Sequence, residues 1–231
     1  WTRRLPVVGA GGWAGGVEGD PDKVAFTLAS DSRAAPTIAA QEGSVTASSD
    51  TGHRNFPPGS PPAGLGGSFG MNPDGSINSA LWNDFSERAL HEMAAATKTL
   101  IKAYYGVPQD FAYFDGASGG GRQALKIAQR YPGDFDGILS TVPAINWTQF
   151  LIAEAYPQIV IQRDLGGKYL TPDQLNRVSN AAIAACDVID GQHLGFILDP
   201  AACRYDPAKD PEILCTTDGG SDGSPACLTR T

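Results

Sequence analysis

The sequence predicts an α/β fold built on a parallel sheet, and three observations carry the prediction. Apolar strand-like runs alternate with helical periodicity between residues 78 and 141. A glycine-rich turn follows the first apolar run, and a G-x-S-x-G motif stands between another apolar run and a helical segment.

The elements follow in chain order. Leu5 to Gly9 reads as a short buried strand entering the turn Gly9-Ala-Gly-Gly-Trp-Ala-Gly-Gly16, where backbone N–H groups can approach a ligand closely. Ser30 to Gly75 is rich in Gly, Pro, Ser and Asp, and predicts an excursion over the core with one strand near Gly43 to Ala47. Between Asn78 and Tyr105, the apolar residues Trp82, Phe85, Ala89, Met93, Ala96, Leu100 and Tyr104 recur at spacings of three and four. That periodicity predicts one amphipathic helix of about seven turns. Gly106-Val-Pro108 stops it, and Phe111 to Phe114 supplies the next strand. A helix from Gly120 to Arg130 ends at Tyr131-Pro-Gly133, and Phe135 to Thr141 forms a further strand.

Beyond Pro143 the pattern turns helical, near Thr148 to Arg163 and from Thr171 to Cys186. Thr171-Pro-Asp173 supplies the cap and first turn of the second helix. The expected organisation is a core over residues 1–144 and an inserted, mostly helical lid over 145–231, with a mobile Gly/Asp/Ser-rich loop from Thr216 to Ser224.

Composition narrows the function. The 231 residues are 42% hydrophobic, enough to bury a core. The net charge of -8, with lysines and arginines scattered, disfavours nucleic acid or an anionic membrane as partner. No apolar run approaches the roughly 18 to 20 residues of a bilayer span, and Trp1-Thr-Arg-Arg4 is not a signal peptide, so any targeting segment is expected to have been removed. All four cysteines lie in the last quarter without C-x-x-C spacing. They predict two disulfides, Cys186 with Cys203 and Cys215 with Cys227, each closing a short local loop, and hence a secreted or periplasmic protein. Four reduced thiols are the alternative.

Asp115-Gly-Ala-Ser-Gly-Gly-Gly-Arg122 holds the motif with chemical content. Between a strand and a helix, Ser118 would occupy a strained turn that presents its hydroxyl at the edge of the sheet, as in α/β-hydrolases. The helix starting beside it directs N–H groups and a positive dipole end at a developing oxyanion. Gly119 N–H is the first expected oxyanion donor and Gly12, in the early glycine turn, the second. A glycine turn that merely packs closely is the competing reading.

Several further segments, in order, carry a resemblance: Val8-Gly-Ala-Gly-Gly-Trp-Ala-Gly15, Ala47-Ser-Ser-Asp-Thr-Gly-His53, Asp84-Phe-Ser-Glu-Arg-Ala-Leu-His91, Ala103-Tyr-Tyr-Gly106, and Gly119-Gly-Gly-Arg-Gln123 through Tyr131-Pro-Gly-Asp-Phe-Asp-Gly-Ile138. Together with the elbow they resemble the tannase and feruloyl esterase family over nearly the whole chain. The resemblance implies an α/β-hydrolase core with a lid, and hydrolysis of aromatic acid esters such as feruloyl, other hydroxycinnamoyl or galloyl esters, as small molecules or on a plant polymer. One departure is Ala117, where the family usually carries a cysteine bonded to another beside the catalytic histidine.

A serine nucleophile needs a base and an orienting carboxylate, in the chain order Ser, Asp or Glu, His. Only His193 follows Ser118, and His53 and His91 match family positions that look structural. The catalytic Asp and His are therefore expected outside these residues: on a second chain produced by cleavage, in a region beyond those given, or absent altogether. The alternative function is a non-catalytic or truncated hydrolase fragment.

The stretch from Cys186 to Cys203 resembles the family's calcium loop. The resemblance implies carboxylates from Asp187 and Asp190 and backbone carbonyls from Gln192 and Phe196 around a structural Ca2+, in a site weakened by Leu194 where the family has a third aspartate. An acidic turn held by the disulfide is the alternative. No organic cofactor is implied. Trp147, Phe150, Tyr156 and Tyr169 offer aromatic surface in the lid, and Asn146-Trp-Thr148 is a glycosylation sequon.

Overall fold

Three parallel strands organise the first part of the chain in this computed structural model, which describes residues 1–9, 11–13, 35–53 and 66–230. Strands β1 (Arg4–Val8), β2 (Phe111–Ala117) and β3 (Gly137–Thr141) lie in the order β1-β2-β3. Val7 pairs with Phe114, and Ala117 with Thr141. The fold is the expected α/β arrangement, with β2 central. Ala10, the end of the glycine turn from Ala14 and the parts of the expected excursion at 30–34 and 54–65 lie outside the described residues.

The excursion is not all loop. Ala35–Glu42 forms helix α1, whose Ala35 and Ile38 are buried with Val8. The expected strand near Gly43 to Ala47 is reduced to a single bridge between Ala47 and Val7.

The long helical stretch is continuous but not uniform: α2 (Ser79–Asn83), a π-helical turn (Asp84–Arg88) and α3 (Ala89–Tyr105). Asn78 caps it through its side chain on the Leu81 N–H, 3.1 Å, and Gly106 at φ 74° ends it. The π turn takes one extra residue, which rotates everything after it by roughly 100° about the helix axis. Phe85 keeps its place, but the buried face moves to Leu90, Ala94 and Ile101. Leu100 and Tyr104, expected on that face, are exposed instead.

Helix α4 (Gly119–Arg130) follows β2 at once and packs on β2 and β3. Leu5, Val7, Leu90, Ala94, Ile101, Ala112, Phe114, Ala124, Ile127 and Phe135 form the core between this helix, α3 and the sheet. Alternation along β2 turns Ala112 and Phe114 inward, while Phe111 and Tyr113 stand exposed on the opposite side.

Contacts divide the chain into two compact units, Trp1–Phe150 and Leu151–Thr231. The expected junction at Ala144 lies inside the first, and the division falls within helix α5 (Trp147–Arg163). In the second unit, helix α6 (Pro172–Cys186) carries a full capping box between Thr171 and Gln174. The two expected disulfides, Cys186–Cys203 and Cys215–Cys227, are both formed. Inside the loop closed by Cys186–Cys203, β4 (Val188–Ile189) and β5 (Gln192–His193) make a hairpin. Its turn places Asp190 and Gly191 both at positive φ, as the tightest hairpin turns require.

The segment from Thr216 to Ser224, expected to be mobile, is tied down instead. Bridges join Leu214 to Leu228 and Cys215 to Asp222, and the buried Asp222 carboxylate pairs with Arg177 at 2.6 Å.

Candidate active site

Ser118 stands at the sharp turn between β2 and α4, with φ 57° and ψ -119°. That backbone conformation is disfavoured for any residue with a side chain, so the surroundings must impose it. They do so through three backbone hydrogen bonds. Ser118 N–H donates to the Thr141 carbonyl at 3.0 Å, and its carbonyl accepts from Arg122 N–H and Ala144 N–H, each at 3.1 Å.

Glycines make that compression possible. A Cβ on Gly116 would collide with the Gly120 carbonyl, and one on Gly121 would lie 2.6 Å from the Thr141 oxygen. Gly119 carries the observation of most consequence: a Cβ there would lie 2.8 Å from both the nitrogen and the oxygen of Gly12. The early glycine turn is therefore pressed against the first residue of α4, where helical N–H groups lack intrahelical partners. Ser118, Gly119 and Gly12 are brought to one place, and Ala117 is buried beneath them.

The turn is held from both sides. Gly9 N–H donates to the Asp115 carbonyl at 2.8 Å. Trp13 is stacked on Phe85, with centroids 5.5 Å apart, and meets Trp147 edge-on at 4.9 Å. The Trp13 carbonyl accepts from His53 Nε2 at 2.9 Å, and the buried His53 ring stacks on Phe69 at 3.7 Å. A carbonyl only accepts, so Nε2 carries a proton, while Nδ1 lies 3.3 Å from the Thr51 hydroxyl and 3.4 Å from the Thr51 carbonyl. Sequence reasoning missed this brace, since it joins residues forty positions apart with no local sign of it.

All three histidines are engaged elsewhere. His91 Nδ1 meets the Asp134 carboxylate at 2.8 Å and its ring stacks on Tyr131. His193 Nδ1 meets Asp187 at 2.7 Å. Among the described residues no histidine is hydrogen-bonded to the Ser118 hydroxyl.

In the loop between Cys186 and Cys203 the first expected calcium ligand has hydrogen-bond partners of its own. One oxygen of the buried Asp187 carboxylate takes His193 Nδ1, and the other takes the Gly195 N–H at 3.0 Å. The hydrogen bond from His193 and, after it, the one from Gly195 hold the Asp187 carboxyl below its ordinary pKa. Asp190, Gln192 and Phe196 sit exposed in and after the hairpin, and the described residues gather no group of three or more His, Cys, Asp or Glu side chains suited to a metal.

Arg122, one turn along α4 from Ser118, was also missed as more than a motif residue. Its guanidinium lies over the Phe85 ring at 4.6 Å and the Trp147 ring at 5.1 Å. Burial pulls its pKa down to about 10, which leaves it charged at neutral pH.

A parallel sheet whose central strand runs through a strained serine into a helix defines an α/β-hydrolase fold. The family model described as "Tannase and feruloyl esterase" matches residues 1–231, and the chain belongs to that family. It is 36% identical over 209 residues to a probable feruloyl esterase of Arthroderma benhamiae, covering 90% of this chain and 34% of that protein. Among solved structures, feruloyl esterase B from Aspergillus oryzae superposes with TM-score 0.69 at 28% identity, over 99% of this chain and 40% of that one. The tannin acyl hydrolase from Aspergillus niger shares the fold at TM-score 0.55 and 22% identity, over 84% of this chain and 32% of that one. The chain thus spans between about a third and two fifths of the length of these relatives.

Proposed function

We propose that the protein is a serine carboxylic ester hydrolase for aromatic acid esters, of feruloyl, related hydroxycinnamoyl or galloyl type, working through an acyl-enzyme outside the cytoplasm. The observation that carries the reading is the strained Ser118 turn with the Gly12 backbone pressed against Gly119. Family membership and the names of the relatives support the substrate class, and the two disulfides support an oxidising compartment.

In this reading Ser118 Oγ attacks the ester carbonyl, and the oxyanion accepts hydrogen bonds from the N–H groups of Gly119 and Gly12. A base passes the serine proton to the departing alkoxide, leaving the acyl group on Ser118. Water then attacks the acyl-serine, releasing the acid and restoring the hydroxyl. The base and its carboxylate come from outside the described residues, on a second chain or another part of the protein.

The engagement of all three histidines elsewhere favours a second reading, a folded hydrolase segment without turnover. Ferulate release from methyl ferulate, followed by absorbance, separates the two. Release that Ser118→Ala abolishes is the expected result. No release, or release that survives the substitution, would overturn the esterase reading for this protein.

A further inference from the structure

The turn that carries Gly12 is anchored on both sides of that residue, and the two anchors differ in kind. Before it, Gly9 N–H donates to the Asp115 carbonyl at 2.8 Å, main chain to main chain. After it, the Trp13 carbonyl accepts from the His53 side chain, Nε2 to oxygen 2.9 Å. Gly12 lies between the two, and its backbone is the part pressed on Gly119.

His53 is itself held rigidly. It is only 7% exposed, its ring lies on Phe69 with centroids 3.7 Å and planes 16° apart, and Phe85 meets it edge-on at 5.9 Å. The buried Thr51 stands beside Nδ1, its hydroxyl 3.3 Å away. Packing on these sides fixes the plane of the imidazole, and with it the direction of the Nε2–H toward the Trp13 oxygen. A histidine confined in this way sets the place of the group it donates to.

We propose that His53 is a positioning residue for the oxyanion site: through the Trp13 carbonyl, its Nε2–H fixes the Gly12 N–H beside that of Gly119. The inference rests on the proposed function, in which those two N–H groups receive the oxyanion, and adds a side chain that acts on a donor rather than on the ester. An oxyanion donor is worth about 10²–10³ in rate, provided that it is in place before the charge develops. Displacement by about 1 Å forfeits much of that. Without the His53 donor the Trp13 carbonyl must find another partner, and the turn is free to shift between Gly9 and Trp13.

The test uses the whole 231-residue chain and phenylboronic acid, which needs no turnover. Ser118 Oγ forms a bond to boron and its proton passes to the buffer. The boron becomes a tetrahedral anion with one oxygen at the oxyanion position. Calorimetry measures the affinity, Ser118→Ala is the control that should not bind, and 1H–15N spectra of the free protein follow the Gly12 amide. His53→Phe keeps the ring on Phe69 and loses the donor; it should weaken the boronate about tenfold or more and move the Gly12 resonance. His53→Gln, which returns an N–H at about the reach of Nε2, should restore both to near the parent. A residue that serves stability alone would lower the melting temperature and leave the folded protein's boronate affinity and Gly12 resonance where they were. If His53→Phe does not fold, His53→Asn, whose amide stops short of the Trp13 carbonyl, carries the test with the same expected losses. No Ser118 adduct in the parent would overturn the proposed function and this proposal with it. An adduct in the parent that the donor-less variant binds equally well, a Gly12 resonance that does not move, or losses that His53→Gln does not reverse would overturn this proposal alone.

Discussion

Replacing Ser118 by glycine should leave the protein more stable than replacing it by alanine, although alanine is the better residue at most positions. At φ 57° and ψ -119° a Cβ is strained, at a cost of about 1–3 kcal/mol. Glycine removes the strain but adds conformational freedom to the unfolded chain, which offsets about 0.5–1 kcal/mol. The three hydrogen bonds that hold the Ser118 backbone involve only main-chain atoms, so both variants keep them. The balance favours Ser118→Gly by about 1 kcal/mol, which in a domain of this size is a melting temperature about 2–4 °C above that of Ser118→Ala. Thermal unfolding followed by circular dichroism measures the difference, and both variants should be inactive. If alanine proves as stable as glycine, the turn is not strained and the physical argument for a presented nucleophile fails.

Two other outcomes are expected. Gly119→Ala sets a Cβ 2.8 Å from the Gly12 backbone, so the glycine turn must move. A loss of about 1–3 kcal/mol in stability should follow, and ester hydrolysis should fall by about 10²–10³ as an oxyanion donor is displaced; near-parent activity would remove Gly12 from the site. The hairpin beside Cys186 should yield to acid rather than to chelation. Asp187 titrates below its ordinary value of 3.8 because His193 and then Gly195 donate to it, so its contribution is present above that value and lost as pH falls through the lower folded one. Protection of the hairpin amides, exchange measured against the intrinsic rate at each pH, should fall across that acid window, less so in Asp187→Asn, and a chelator at pH 7 should leave it unchanged.

The elbow was legible because its signals are local. Glycines around Ser118 between an apolar strand and a helix specify a backbone path that few other structures satisfy. The disulfides were legible for the same reason, each closing a short loop. Periodicity gave the extent of the helix ending at Tyr105 but not its buried face after Arg88. Only backbone geometry reveals the π turn that moves burial from Leu100 to Ile101. Helix α1 was hidden by the Gly, Pro and Ser around it, and it is held through tertiary burial of Ala35 and Ile38 rather than by strong amphipathicity.

By itself, then, the sequence determined the strand–serine–helix turn, the parallel α/β alternation, the family and the two disulfides, all properties of short segments or of their order. The tertiary structure alone decided partnership: Gly12 against Gly119, His53 on the Trp13 carbonyl, His193 on Asp187, and Arg122 against two aromatic rings with no carboxylate among the described residues. Burial and pairing depend on which distant segments the fold brings within a few ångströms, and residue type and spacing do not encode those distances.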